Sequence, residues 1–182
     1  MRQFIAPMVF IASLSVATGV HAIGELLGGE INFKGTVVAL GCNIVPSSEN
    51  VVVDFGEIST RDLYANGKSG LEEFKIELQG CSSAVFKTIT VTFSGTQNAN
   101  MSDRLAVSSL SANAASGIGI GLEESNGTAI TLGTPTSATT ISDANMQLNF
   151  KAFVEGEPDA LRDQTLQTGA FRATANYILN YQ

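Results

Sequence analysis

An antiparallel β-sandwich is the fold class that this 182-residue sequence predicts, and three observations carry it. Apolar residues recur at every second position, not every third or fourth. Turn-forming pairs separate the runs. Helical stretches are few, and many short strands with such punctuation favour two packed sheets.

The alternation justifies each strand in turn. Phe74, Ile76 and Leu78 alternate with Lys75, Glu77 and Gln79, and Ile89, Val91 and Phe93 with threonines. Glycines space Ile118, Ile120 and Leu122, while Met146, Leu148, Phe150 and Ala152 alternate with Gln147, Asn149 and Lys151. At the C-terminus Phe171, Ala173, Ala175, Tyr177, Leu179 and Tyr181 alternate with mostly polar neighbours. Each pattern gives a strand one buried and one wet face. Residues 36–40 and 51–55 are more continuously apolar and are expected as buried strands or sheet ends. The turn signals are Asn66-Gly67, Ser94-Gly95, Asn126-Gly127 and Gly156-Glu157-Pro158. Asn126-Gly127, between GIGIGLEE and TAITL, is a hairpin candidate.

The N-terminus reads as an export signal. Arg2 is followed by an apolar run over residues 4–14, then by small residues ending in Val20-His21-Ala22. Cleavage after Ala22 is expected, because the run falls short of the ~20 residues that span a bilayer. No later segment is long enough either, so no membrane insertion of the mature chain is expected. Ten Lys and Arg stand against seventeen Asp and Glu, a net charge of −7, which argues against a nucleic-acid partner. The remaining chain has the length of one domain.

The only cysteines are Cys42 and Cys81. An even count in an exported chain argues for one disulfide between them.

Little in the chain points to catalysis. The single histidine, His21, falls in the export signal, which removes His-based nucleophile pairs and His metal sites from the mature chain. The pairs Glu72-Glu73 and Glu123-Glu124 sit in strand-like runs, where adjacent side chains point to opposite faces. GIGIG lacks the strand-then-helix context of a phosphate loop. No enzyme activity, metal or cofactor is expected.

Two features at the ends need a role. Ile31, Phe33, Gly35 and Val37 alternate in an arm ahead of the first cysteine, and periodicity alone leaves open a plain first strand of the sandwich. A strand at the last residues leaves no following segment to cover its far edge, and an exposed apolar edge is a template for another chain.

These residues resemble a known family. GGEINFKGTVV before Cys42, GIGIGLEESNGTAITL in the middle, and GAFRATANYILNYQ at the end together are similar to the pilins of chaperone–usher fimbriae of Gram-negative bacteria, in particular type 1 fimbrial subunits. The resemblance covers essentially the whole mature chain. It implies an incomplete immunoglobulin-like β-sandwich lacking its last strand, on residues 41–182, preceded by a donor-strand extension on residues 23–40 and the signal on 1–22. It also implies a fimbrial location at the cell surface, reached through the periplasm. The implied partners are a periplasmic chaperone, an outer-membrane usher and neighbouring subunits, joined by strand addition. On this resemblance Ile31, Phe33, Gly35 and Val37 form the donor strand. Gly169, Phe171, Ala173, Ala175, Tyr177, Leu179 and Tyr181 form the acceptor edge, which also binds the chaperone. The reading from a different class is a self-contained sandwich that binds a carbohydrate or protein at its loop tips. Against it, the chain has no Trp and only three Tyr for sugar stacking.

Overall fold

Strands account for most of the regular structure in a computed structural model, which describes residues 28–37, 41–108, 113–142 and 144–182. The export signal expected over residues 1–22 lies outside them, as do residues 38–40. The chain divides into a leading unit, residues 1–37, and a body, residues 38–182.

The body holds β1 (Asn43–Ile44), α1 (Pro46–Glu49), α2 (Thr60–Asn66), β2 (Glu72–Cys81), β3 (Thr88–Gly95), β4 (Leu105–Ala106), β5 (Ile118–Glu124), β6 (Thr139–Thr140), β7 (Ala144–Gly156), α3 (Pro158–Arg162) and β8 (Ala175–Tyr181). One sheet has the order β1-β2-β7-β5-β4 and the other β6-β3-β8. All pairings between these strands are antiparallel.

The inward residues of the alternating runs make the core. Ile76 and Leu78 of β2, Leu148, Phe150, Ala152 and Val154 of β7, and Ile118, Ile120 and Leu122 of β5 are buried. They belong to one cluster with Ile89, Val91 and Phe93 of β3. Phe93 meets Phe150 edge-on at 5.0 Å and Phe74 edge-on at 6.2 Å, the arrangement that ring quadrupoles favour.

Gly119 and Gly121 of the GIGIG stretch are buried on the opposite face of β5. A Cβ at Gly121 would overlap the ring of Phe153, its partner on β7. That ring is buried on the outer face, with Lys68 Nζ 4.7 Å and Arg104 Cζ 5.3 Å from its centroid. Large and absent side chains therefore complement each other across the two strands.

The turn signals divide into those that turn and one that does not. Gly67 ends α2 with φ +78° and donates its N–H to the Leu63 carbonyl at 2.8 Å. Pro158 opens α3. Gly127 closes the expected hairpin, its N–H donating to Glu124 O and that of Glu124 to Thr128 O, both at 2.8 Å. Ser94-Gly95, by contrast, lies within β3, paired with Asn176 and Ala175. Gly95 is there for close approach: a Cβ would meet Leu105 and the Thr174 carbonyl.

Residues 51–55 are the clearest departure from expectation. They form no strand; Val52 is 88% exposed, and only Val53 and Phe55 turn toward the core.

Candidate functional site

β8 is an edge strand of the smaller sheet. Seven consecutive rungs join it to β3, from Ala175↔Gly95 to Tyr181↔Ile89. No described residue pairs with its other side. Among the described residues the other three sheet edges are β1, β4 and β6, each two residues long. Short edges offer little to template, whereas a seven-residue edge offers a full strand's worth.

The ladder fixes which groups face outward. Gln182 and Thr88 exchange two backbone hydrogen bonds, at 2.9 and 3.0 Å. Every second residue back from Gln182, namely Asn180, Ile178 and Asn176, therefore bonds toward β3. The N–H and C=O groups of Ala175, Tyr177, Leu179 and Tyr181 point to the free side. Those four residues also carry the inward side chains, and all are half-buried. On the neighbouring strand Ile89, Val91 and Phe93 are only 1–3% exposed.

Residues 42–55 form the far wall of this open seam. Tyr181 Oη donates to the Cys42 carbonyl at 3.2 Å, and Tyr177 Oη donates to the Ser48 carbonyl at 2.6 Å. The Phe171 and Phe55 rings lie 6.2 Å apart. Contacts rise along one segment as they fall along the other, so the wall runs antiparallel to residues 171–181. No backbone hydrogen bond links the two among the described residues. The seam is crossed by side chains where a paired strand would be joined by backbone bonds. Burial pushes both phenols above the ordinary tyrosine range, with the Glu49 carboxylate adding to the effect at Tyr177. Both are therefore hydrogen-bond donors throughout the neutral range.

The C-terminal segment departs from its expected bounds. Regular pairing begins at Ala175, not Phe171. Upstream, Arg172 exchanges two backbone bonds of 2.8 Å with Ser108, and Ala115 N–H donates to Ala170 O. Gly169 is required there, because a Cβ would overlap the Asn113 carbonyl. Phe171 and Ala173 remain half-buried and packed on the core, so the inward row continues beyond the ladder.

Cys42 and Cys81 form a disulfide, which joins the start of the wall to the end of β2. Residues 28–37 of the leading unit have no helix or strand. There Ile31, Phe33 and Val37 are 76, 90 and 101% exposed, and Gly35 is exposed too. The acidic pairs are dispersed: Glu72 and Glu73 face solvent, Glu123 lies 3.4 Å from Lys68 Nζ, and Glu124 accepts the Ser137 N–H. No cluster among the described residues has the makings of a metal site.

The family model for fimbrial protein matches residues 31–182. The chain belongs to the fimbrial protein family. This fimbrial chain is 36% identical to a Proteus mirabilis protein named as the minor fimbrial subunit PmfF, over the whole of both chains. It is 31% identical to the type-1 fimbrial protein C chain of Escherichia coli, over 99% of this chain and 98% of that one. Among solved structures, the P pilus rod subunit PapA superimposes with a TM-score of 0.67 at 27% identity, covering 79% of this chain and all of PapA. The fold is thus the incomplete immunoglobulin-like sandwich of chaperone–usher pilins, and the protein is a structural pilus subunit.

The wall was the part that sequence reasoning missed. Its apolar residues were visible at 51–55, but the hydrogen-bond acceptors are backbone carbonyls, which leave no side-chain signal.

Proposed function

We propose that this subunit polymerises by strand donation, its arm pairing with the free edge of β8 in the next copy or neighbouring subunit. The seven-residue edge of β8, with no partner among the described residues, carries the reading. Strand addition needs outward-facing backbone groups and alternate side-chain pockets along one edge, and residues 175–181 offer both. In the arm, Ile31, Phe33 and Val37 supply apolar side chains on alternate positions. Gly35 has none, which lets the two backbones approach closely.

Acceptor residues Phe171, Ala173, Ala175, Tyr177, Leu179 and Tyr181 then line the receiving groove, and Gly169 fixes the approach to it. A periplasmic chaperone covers this apolar edge before assembly, and an outer-membrane usher is where the arm replaces it. Export through the periplasm also fits the disulfide. A self-contained ligand binder is not favoured. A depression of about 300 Å³ beside residues 128–137 is lined by Glu124, Ser137, threonines, Ala129, Ile130 and Pro135, without an aromatic ring for a sugar.

The test supplies the missing strand in cis. A second copy of residues 30–40, fused after Gln182 through a short flexible linker, docks at an effective concentration in the millimolar range. Each well-buried Val, Ile or Phe contributes about 1.5–3 kcal/mol. The fusion is expected to be monomeric and much harder to unfold than the unmodified chain. A bulky residue in place of Gly35 in the appended copy should remove much of that gain. Equal denaturation midpoints for fused and unfused monomers would show that no strand is missing.

A further inference from the structure

The open seam is crossed by two ties that its openness does not require. Tyr177 and Tyr181 are four residues apart on the inward face of β8, and each ends on a backbone carbonyl of the opposite wall. Both carbonyls are firmly held from behind. Ser48 is 2% exposed, its N–H donates to Val45 O at 2.7 Å, and its Oγ accepts the Glu77 N–H of β2 at 2.9 Å. Cys42 is bonded to Cys81, the last residue of β2. The two ties therefore reach β2 at Glu77 and Cys81, the same four-residue spacing as the tyrosines themselves. The Tyr181 ring also lies against Gly41, where any Cβ would overlap it, and 5.5 Å from the Phe86 ring.

We propose that Tyr177 and Tyr181 are positioning residues for strand uptake: their hydroxyls hold β8 and the wall at strand width before the strand arrives. The proposal rests on the strand-donation reading above. Whenever neither chaperone nor arm lies between them, the two apolar lips of the seam attract each other, and closing the seam would bury them. Fixed ties resist that closure, and they equally resist splaying. Phenylalanine would cover the same floor but has no donor, so the hydroxyl is the functional atom. Leu179, between the two ties, has an apolar side chain that can make no such tie.

The experiment follows a fluorescent peptide of residues 30–40 binding to the chain that begins at Ile23, in wild-type form and as Tyr177→Phe, Tyr181→Phe and the double variant. Stopped-flow mixing gives association rates, competition gives dissociation rates, and denaturant melts of the peptide-bound forms report stability. Uptake that must wait for the seam to reopen is expected to be roughly tenfold slower in the double variant, with dissociation nearly unchanged. Each single variant should fall between the two, and the singles decide the matter if the double variant does not fold. Unchanged association, or a loss confined to the melts, overturns the positioning role and leaves strand donation standing. If the wild-type chain takes up no peptide, the strand-donation reading itself fails.

Discussion

β7 and β8 carry the same alternating pattern, yet they end in different environments. β7 lies between β2 and β5, and its inward residues Leu148, Phe150, Ala152 and Val154 are 0–5% exposed. Among the described residues β8 has a neighbour on one side only, and its inward Ala175, Tyr177, Leu179 and Tyr181 are all half-buried. Moving one strand inward, to β3, restores full burial. The difference therefore lies in neighbours and not in composition. The molecule has the side chains of a closed sandwich with one strand's cover missing at the seam.

The largest expected effect sharpens that contrast directly. Phe150 packs on Phe74 and Phe93, at 5.6 and 5.0 Å. Phe150→Ala should cost about 3–5 kcal/mol by leaving a cavity, whether or not the seam is filled. Leu179→Ala should behave differently. In the unmodified chain it removes a half-buried side chain and should cost well below the ~2–5 kcal/mol of a closed core. With the appended strand in place, the same change should approach that range. Denaturant melts of both variants in both backgrounds measure this. An equal cost for Leu179→Ala in the two backgrounds would break the comparison.

Next in size is the disulfide that anchors the wall. Cys42→Ser or Cys81→Ser releases a loop with a sequence separation of 39. A bridge of that span should contribute about 4 kcal/mol in the chain-entropy model, less any strain. The melt of each serine variant should match that of the reduced wild type, and the amount of assembled fimbria should drop. Two free thiols in protein recovered from the periplasm would contradict the pairing.

Most of the body was legible in the sequence because its strands have one wet face. The runs at 74–78, 89–93, 118–122 and 146–152 all lie in strands whose inward residues are those the alternation selects. The cysteine pair was legible from its count. The helices were not, because α1, α2 and α3 have four, seven and five residues, too few to establish a 3.6-residue period. Leu63, buried on α2, left no signal of its own. Residues 51–55 misled for a different reason: an apolar extended segment looks the same whether or not its backbone is paired. Ser94-Gly95 misled because glycine serves close approach as readily as a turn. As for the candidate site, the inward row from Phe171 to Tyr181 was read directly from alternation. The wall that Tyr177 and Tyr181 reach was hidden, since a tyrosine's position says nothing of which carbonyl its hydroxyl meets.

The smallest expected effect concerns the other face of the same strand. Ile178 is 58% exposed, between the inward Tyr177 and Leu179, and its cross-strand partner on β3 is Thr92. Beside it Asn180 Nδ2 donates to Thr92 Oγ1 at 3.1 Å, so this face is lined with polar groups and carries a lone large apolar residue. Threonine keeps the β-branch that suits a strand while removing apolar bulk. An exposed change of this kind should stay within about 0.5 kcal/mol. Filling the seam covers the inward face and leaves the outward one unchanged, so the small cost should be the same with and without the appended strand. Leu179→Ala, one residue away, should change strongly with that addition, and the pair separates the two faces of a single strand. Melts of Ile178→Thr in both backgrounds test this. A cost that grew when the strand was added would mean that the added strand reaches the outward face, and the seam would then not be the place where it binds.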